Sequence, residues 1–280
     1  MKSFSIQVGL FFAVLIFFQS HVFAAPSAEN HLLCIEGDTQ CSFVLLSDIQ
    51  TEELAQQTNK LLTINQARAK KPLSPFSTFK ITNSVIALEQ GVIKDIKQEL
   101  SYDKTKYPTQ VWWPPVWKLP SYNLSTAFKY SVVPVFRQMA NSVGQQNMDT
   151  YLARFDYGNH DTSSGLDSFW LNGSLKISAI EQVQFLQKLN NNQFKLAPSS
   201  LAAIKDVMLV EATDNYKLFG KTGAGKVADK SMLGWYVGFV ENKNGVHYFA
   251  FNFNRKSYGE MKAQRIKMAM NHLKSAGIIY

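Results

Sequence analysis

Ser77 and Lys80 lie three positions apart in the stretch "SPFSTFKITNSVIALEQG", flanked by Phe76, Phe79 and Ile81. On a helix this spacing brings both side chains to one face. Apolar surroundings disfavour the ammonium form of a lysine and so lower its pKa. A neutral amine there can take the proton of the serine hydroxyl, or can add carbon dioxide to become a carbamate. The pair therefore predicts a serine nucleophile activated by a lysine-derived base, which is the chemistry of acyl transfer.

The Ser-x-x-Lys spacing is weak evidence by itself. A second copy, Ser101 to Lys104, looks like a solvated surface segment. Ser77 also suits the start of a helix, with the Lys80 stem lying along apolar surface and its amine in water. The interpretation therefore depends on what accompanies the pair.

Four further motifs follow in order along the chain: Ser131-Val132-Val133, Tyr157-Gly158-Asn159, "FWLNG" at 169–173 and Lys221-Thr222-Gly223. With Ser77-Thr78-Phe79-Lys80, this series resembles the class D serine β-lactamases, the oxacillinases. The resemblance covers nearly all of the expected mature chain. A related pattern in class A enzymes and penicillin-binding proteins has Ser-Asp-Asn as its middle motif. Ser-Val-Val in that place points to class D.

The resemblance implies a specific role for each polar group. Ser77 would attack the lactam carbonyl, and a carbamate on Lys80 (N6-carboxylysine) would be the base for acylation and deacylation. Ser131 would relay a proton to the departing lactam nitrogen. The residues implied for the carbamate pocket are Phe79, Val133, Trp170 and Leu171, with the Trp170 indole N–H holding the carbamate. Carbon dioxide or bicarbonate is then the only small molecule required besides substrate, and no cofactor is expected.

Substrate contacts are implied in the same way. The backbone N–H groups of Ser77 and Ala224 would form the oxyanion hole. The residues implied for substrate binding are Lys221, Thr222, Gly223, Ala224 and Arg265. Arg255 is a nearby rival for the carboxylate-binding role of Arg265.

Each of these residues also has an ordinary structural interpretation. Trp170 suits a core aromatic, and Ser131 suits an N-cap before Pro134. Lys221-Thr222 suits a turn, because three glycines surround it. Tyr157-Gly158-Asn159 is expected to be mainly a structural loop that borders the site.

The sequence departs from the commoner family pattern at Asn172 and Ser174, where an acid and a proline often stand. These changes leave the substrate range open. Loop geometry around Trp113, Trp117 and Ser231 is expected to decide among oxacillin, cephalosporins and carbapenems.

Strand patterns lie at both ends of the chain, and helices lie between them. A hairpin is predicted over 32–47, and three strands are predicted from "LFGKTGAG", "MLGWYVGFVE" and "GVHYFAFNFN". Helices are predicted over 77–89 and in "SVVPVFRQMANSVG", "NMDTYLARF", "SAIEQVQFLQKL", "APSSLAAIKDVML" and 260–275. The fold class is thus α+β. The resemblance implies the serine β-lactamase/D,D-peptidase-like fold, an antiparallel sheet flanked by helices with a mainly helical second lobe. We expect one catalytic domain over 25–280, with the sheet lobe at 25–76 and 205–280 and the helical lobe at 77–204.

The first residues follow the pattern of a secretory signal peptide, with Lys2, an apolar run over 8–18 and small residues before a cleavage site after Ala24. An uncleaved anchor is the alternative. Export to the periplasm, an oxidising compartment, would favour a disulfide between Cys34 and Cys41. The spacing of the two cysteines suits neither a redox motif nor a metal site, and no metal is expected.

A net charge of +8 over 280 residues is spread along the chain without a dense cluster or a nucleic-acid motif. We therefore expect small anionic β-lactams as partners, no nucleic acid and no stable membrane association. The oligomeric state is left open.

Two other functions compete with β-lactam hydrolysis. A D,D-peptidase or a β-lactam sensor domain would acylate and then deacylate slowly. A sensor would need a membrane-spanning signalling segment, and a D,D-peptidase more often carries Ser-x-Asn and extra domains. The third alternative is a catalytically inactive binding protein that keeps the fold, although every nucleophile and base position is filled.

Overall fold

The computed structural model describes residues 33–50, 57–227 and 229–280. The predicted signal peptide, residues 1–24, lies outside the described residues. Among the described residues, no helix is long and apolar enough to cross a membrane.

Within the described part of the chain, six strands form one antiparallel sheet in the order β2-β1-β6-β5-β4-β3. The strands are β1 (Cys41–Gln50), β2 (Gln57–Ile64), β3 (Leu209–Ala212), β4 (Tyr216–Lys226), β5 (Met232–Asn242) and β6 (Gly245–Arg255). Strands from the two ends of the described chain therefore meet at the centre of the sheet, where β1 pairs with β6. The predicted α+β class and the antiparallel sheet are confirmed.

Helices occupy most of the chain between β2 and β3, and one more follows β6. They are α1 (Gln66–Ala69), α2 (Lys80–Glu89), α3 (Leu124–Lys129), α4 (Val133–Val143), α5 (Gln145–Phe155), α6 (Phe169–Asn172), α7 (Ala179–Asn190), α8 (Pro198–Met208) and α9 (Tyr258–Ser275). A capping box begins α7, since the Ser178 hydroxyl accepts from the Glu181 N–H and the Glu181 carboxylate accepts from the Ser178 N–H. The boundary between the two lobes stays a prediction.

Both faces of the sheet are buried along its central strands, whereas the edge strands β2 and β3 are largely exposed. One face packs with α2, α4, α7 and α8 into the larger core, and the other packs against α9. Alternation along β1 shows this directly, because Val44 belongs to the first core and Phe43 and Leu45 to the second. The predicted Cys34–Cys41 disulfide is present at the edge of the second core.

The short elements α1, α3, α6 and β3 were not predicted, and three further details of the sheet bear on the sequence analysis. The hairpin over 32–47 is wrong, because residues before Cys41 form turns and β1 pairs instead with β2 and β6. Strand β2 was not predicted, because it begins with four polar residues, Gln57 to Lys60, and so resembles an exposed segment. Asn244-Gly245 is a sequence signal for a hairpin between the last two strands, and the β5–β6 hairpin is present, but its turn residues are Lys243 and Asn244, and Gly245 already pairs with Asn242.

Candidate active site

The nucleophile candidate lies on a tight turn at the start of the central helix. A 3₁₀ turn, Phe76–Phe79, leads directly into α2, which begins at Lys80. The preceding Phe76 has a left-handed backbone with φ of +50°, an unfavourable conformation for a bulky residue. This geometry holds the Lys80 Nζ 2.8 Å from the Ser77 Oγ.

Lys80 is completely buried, with no solvent exposure. Its amine lies 5.1 Å from the centre of the Phe136 ring. Burial lowers the pKa of Lys80 well below the ordinary lysine value, and the charge of Lys221 lowers it further. The amine is therefore disposed to be neutral, the form that can accept a proton or react with carbon dioxide.

An aromatic wall lies beside this pair. Phe79 stacks on Trp170 with ring centres 5.2 Å apart, and meets Phe169 edge-on at 5.0 Å and Tyr157 at 5.7 Å. Trp170 is fully buried, yet among the described residues its indole N–H has no hydrogen-bond acceptor. A buried donor without a partner costs about 1–3 kcal/mol. The site therefore offers an unused hydrogen-bond donor.

The other predicted pocket residues are less enclosed. Val133 is the first residue of α4 and is half-buried, as is Leu171 on α6. Leu171 packs against the larger core. Their contact with a group on Lys80 stays a prediction.

Ser131 is joined to Lys221 across the site. The Lys221 Nζ donates to the Ser131 Oγ at 3.0 Å and to the carbonyl of Thr222 at 3.1 Å. Ser131 is not the N-cap of α4. Val132 occupies that position without a side-chain capping bond, and Ser131 has a left-handed backbone with φ of +57°. The strained conformation places the hydroxyl toward the strand that carries Lys221.

Lys221 is also buried, with 5% of its surface exposed. Burial and the neighbouring charge of Arg265 lower the pKa of Lys221 to about 7. Among the described residues, no ion pair involves Lys80, Lys221 or Arg265. The site is thus a set of basic groups without a protein carboxylate, which suits an anionic ligand.

Strand β4 passes directly beside the nucleophile. A Cβ atom on Gly223 would lie 2.8 Å from the Pro75 carbonyl oxygen and 3.3 Å from the Thr78 nitrogen. A Cβ on Gly225 would lie 1.9 Å from the Phe76 ring. Only glycine permits this approach at both positions. Ala224 lies between them on β4, and the oxyanion hole that it would form with Ser77 stays a prediction.

The two candidate arginines differ in their surroundings. The Arg265 guanidinium donates to the Gly223 carbonyl at 3.3 Å, and its Nε is buried without a partner among the described residues. Arg255 instead donates to Gln264 and to the Asn254 carbonyl, and lies 3.4 Å from the Glu260 carboxylate. Arg265 therefore has hydrogen-bonding capacity at β4, whereas Arg255 is occupied by local partners.

A cavity of about 430 Å³ opens beside Lys221 and Thr222. Residues of α3, the α8–β3 junction and Ile266 of α9 complete its lining. A molecule bound to the two β4 residues could therefore extend away from Ser77 into a partly apolar space.

Tyr157, Gly158 and Asn159 hold the loop that follows Trp170. The Asn159 side chain donates to the Ser174 carbonyl at 2.9 Å and accepts from the Lys176 N–H at 2.9 Å. This agrees with the predicted structural role at the border of the site. The Ser174 hydroxyl donates to the Asp161 carbonyl at 3.0 Å, and the Asn172 side chain lies outside the described structure.

Two aromatic residues were missed by the sequence analysis. Phe136 faces Lys80, and the Phe128 ring centre lies 5.5 Å from the Lys221 Nζ. Both look like ordinary helix core residues, and only the tertiary structure brings them to the lysines. In the second Ser-x-x-Lys copy, Ser101 and Lys104 are exposed and outside the site, as predicted, although Tyr102 between them is buried.

Comparison with known proteins gives a consistent set of relatives. The family model described as the penicillin-binding protein transpeptidase domain matches residues 42–271. The chain is 42% identical to β-lactamase OXA-48 of Klebsiella pneumoniae over 192 residues, which are 69% of this chain and 70% of the relative. It is 36% identical to β-lactamase OXA-10 of Pseudomonas aeruginosa over 229 residues, 81% of this chain and 84% of the relative. The crystal structure of a class D β-lactamase from Sebaldella termitidis matches with a TM-score of 0.76 at 30% identity, covering 86% of this chain and 92% of that one.

Proposed function

The chain belongs to the class D serine β-lactamases, which are hydrolases of β-lactams, and we propose that it hydrolyses penicillins and oxacillin-type compounds through an acyl-Ser77 intermediate. One observation carries the proposed mechanism. A wholly buried Lys80, without an ion-pair partner among the described residues, holds its Nζ 2.8 Å from the Ser77 Oγ.

Acylation begins when the Ser77 Oγ attacks the lactam carbonyl carbon and gives up its proton toward Lys80. The N–H groups of Ser77 and Ala224 would stabilise the negative oxygen that forms; one such donor is typically worth about 3 kcal/mol. When the carbon–nitrogen bond breaks, the lactam nitrogen needs a proton. The Ser131 hydroxyl can supply it and be reprotonated by Lys221, whose Nζ lies 3.0 Å away.

We propose that Lys80 is carboxylated by carbon dioxide. The neutral amine that burial favours is the reactive form, and the unpartnered indole N–H of Trp170 is a suitable donor to the added group. Phe79, Val133 and Leu171 would complete the pocket. When present, the carboxyl group supplies an anionic oxygen that accepts and returns protons in both half-reactions. Deacylation then places a water molecule against the ester carbonyl, with Ser77 as the leaving group.

We expect the substrate carboxylate to bind to one hydroxyl group and two positively charged groups on or beside β4. Thr222 offers a hydroxyl, and Lys221 and Arg265 offer positive charge beside it. A bound carboxylate would raise the pKa of Lys221 from about 7 and keep it charged. Substrate binding therefore prepares the proton that Ser131 relays.

The alternative is a penicillin-binding or sensor protein that is acylated and then hydrolyses the ester slowly. The aromatic pocket beside Lys80 favours rapid deacylation, because it can hold a base that remains after acylation. Intact-protein mass spectrometry after mixing with benzylpenicillin separates the possibilities. A transient adduct with accumulating penicilloate supports the enzyme, a persistent adduct supports the alternative, and the absence of both adduct and penicilloate refutes both.

We also propose export to the periplasm. The Cys34–Cys41 disulfide is compatible with an oxidising compartment. The mass of the protein recovered from a periplasmic extract tests this directly. A chain that starts after Ala24 supports cleavage there, and a protein found only in the cytoplasm with residues 1–24 intact contradicts it.

A further inference from the structure

A hydrophobic surface lies next to the site, and its most exposed residues, Val111 and Trp112, have no role in the proposed reaction. We define the aromatic loop as residues 111–119, "VWWPPVWKL". Val111 is 98% exposed, Trp112 is 72% exposed and Leu119 is 43% exposed. Water-exposed tryptophan and valine side chains this close together are uncommon in a soluble domain and indicate a binding surface.

The aromatic loop is held in this exposed form. Trp112 packs edge-on against Trp113 at 6.1 Å and against Trp117 at 6.2 Å. Trp113 is buried, and Pro114 and Pro115 restrict the intervening backbone. Because its neighbours fix its position, Trp112 could be buried in a partner at a low cost in conformational entropy.

The loop is also tied to the chain that leads into the active site. The indole N–H of Trp117 donates to the Tyr130 carbonyl at 2.8 Å, and Tyr130 directly precedes Ser131. Tyr130 is itself 44% exposed, and the Lys129 Nζ lies 5.7 Å from its ring centre. Tyr130 and Lys129 thus extend the aromatic surface and add a cation to its border.

The charge around the loop has one sign. Residues 104–130 contain three tryptophans and four lysines but no aspartate or glutamate. The lysines are all exposed: Lys104, Lys106, Lys118 and Lys129. Asp103, just outside this segment, accepts hydrogen bonds from the backbone N–H groups of Thr105 and Lys106 and so caps a turn. An apolar, tryptophan-bearing tip with a cationic border complements an anionic surface that has an apolar interior.

We propose that the aromatic loop docks reversibly on the surface of an anionic lipid bilayer. Val111 and Trp112 enter the headgroup region, where tryptophan is favoured because its ring is apolar and its N–H is polar. Lys118 and Lys129 face the lipid phosphates. The binding is peripheral and salt-sensitive, so it adds to, and does not reverse, the expectation that stable membrane association is absent.

Vesicle sedimentation tests the proposal with the processed protein purified after export. Phosphatidylcholine vesicles containing phosphatidylglycerol are compared with vesicles of phosphatidylcholine alone. We expect binding to the anionic vesicles only, weakening as salt is added. Trp112→Ser should lower the partition constant about tenfold, and Lys118→Gln and Lys129→Gln about fivefold each. The controls are Tyr280→Ser, which alters a 66%-exposed aromatic residue elsewhere, and Lys243→Gln in the β5–β6 turn.

Nitrocefin turnover in solution should be unchanged in Trp112→Ser, which shows that the variant is folded. Equal binding to neutral vesicles, or equal losses in the Tyr280 and Trp112 variants, would overturn the proposal. The proposal would also be overturned if the wild-type protein did not bind vesicles but self-associated in sedimentation equilibrium, and the Trp112→Ser variant were monomeric. None of these outcomes depends on the proposed catalytic mechanism.

Discussion

Replacing Trp170 with phenylalanine tests the proposed carboxylated lysine most directly. The substitution removes the indole N–H and keeps an aromatic ring against Phe79, on which Trp170 stacks at 5.2 Å. In the described structure that N–H is buried without an acceptor. If a carboxylate on Lys80 accepts it, the variant loses one hydrogen bond to a charged group.

Such a bond contributes about 1.5–3 kcal/mol. At 1.36 kcal/mol per tenfold change, the bicarbonate concentration that gives half-maximal activity should rise between about tenfold and about a hundredfold. The stability of the uncarboxylated protein should change little. Removal of an unpartnered donor recovers about 1–3 kcal/mol, which offsets a packing loss of similar size.

The assay is nitrocefin hydrolysis in degassed buffer titrated with bicarbonate, with the lysine carbamate followed by ¹³C NMR. Phe169→Leu is the matched control, because Phe169 packs edge-on against the same two rings but carries no polar hydrogen. An unchanged bicarbonate requirement in Trp170→Phe, or an equal change in Phe169→Leu, would refute the role assigned to the indole.

Four further predictions follow from the geometry. Ser77→Ala should abolish both the penicillin adduct and nitrocefin hydrolysis at nearly unchanged melting temperature, and continued turnover would exclude Ser77 as the nucleophile. Arg265→Ala should raise KM for benzylpenicillin about tenfold or more by removing a charge-assisted contact; a loss confined to kcat would contradict carboxylate binding. Because the pKa of Lys221 falls from 10.5 to about 7 on folding, the unfolded chain binds more protons between these values. The free energy of unfolding measured by urea should therefore rise with pH across that window, and Lys221→Met should reduce the slope; an unchanged slope would count against the lowered pKa. Gly158→Ala should lower the free energy of unfolding by about 3 kcal/mol or more, since its φ is +59° and the new Cβ would lie 2.0 Å from the Lys176 carbonyl oxygen. The control Gly91→Ala, with φ of +66° in open space, should lower it by about 1 kcal/mol. Equal melting temperatures for the two variants would refute the steric argument.

The sequence predicted the elements whose signals are local. Helix α7 and the strands near the end of the chain, which are rich in β-branched and aromatic residues, were recognisable from nearby residues. Strand β2 was not, because its pairing partner β1 decides its conformation and its own residues are largely polar. The hairpin wrongly predicted over 32–47 has the same cause. The turn before Cys41 was predicted correctly, but the strands that pair with β1 were not.

The residues of the active site also fall into two groups: those that the sequence identified and those that only the tertiary structure reveals. The order of the motifs was sufficient to identify Ser77, Lys80, Ser131 and Lys221, and the structure places them in hydrogen-bonded pairs. The left-handed backbone of Ser131 could not be predicted, because serine has little intrinsic preference for that conformation. The aromatic neighbours of the two lysines were equally hidden, since a buried phenylalanine has the same sequence pattern whether or not it faces a cation.

The pairing of β1 with β6 has a consequence for the order in which the enzyme assembles. These neighbouring strands are separated in sequence by the whole helical region, so closing the sheet requires an encounter of high contact order, which slows folding. Helix α2, which bears Lys80, makes its backbone hydrogen bonds within one continuous segment and can form early. Strand β4, which bears Lys221, is fixed only when β5 and β6 complete the centre of the sheet. The nucleophile turn can therefore exist well before the opposite wall of the cleft, and activity should appear only in the last phase of refolding.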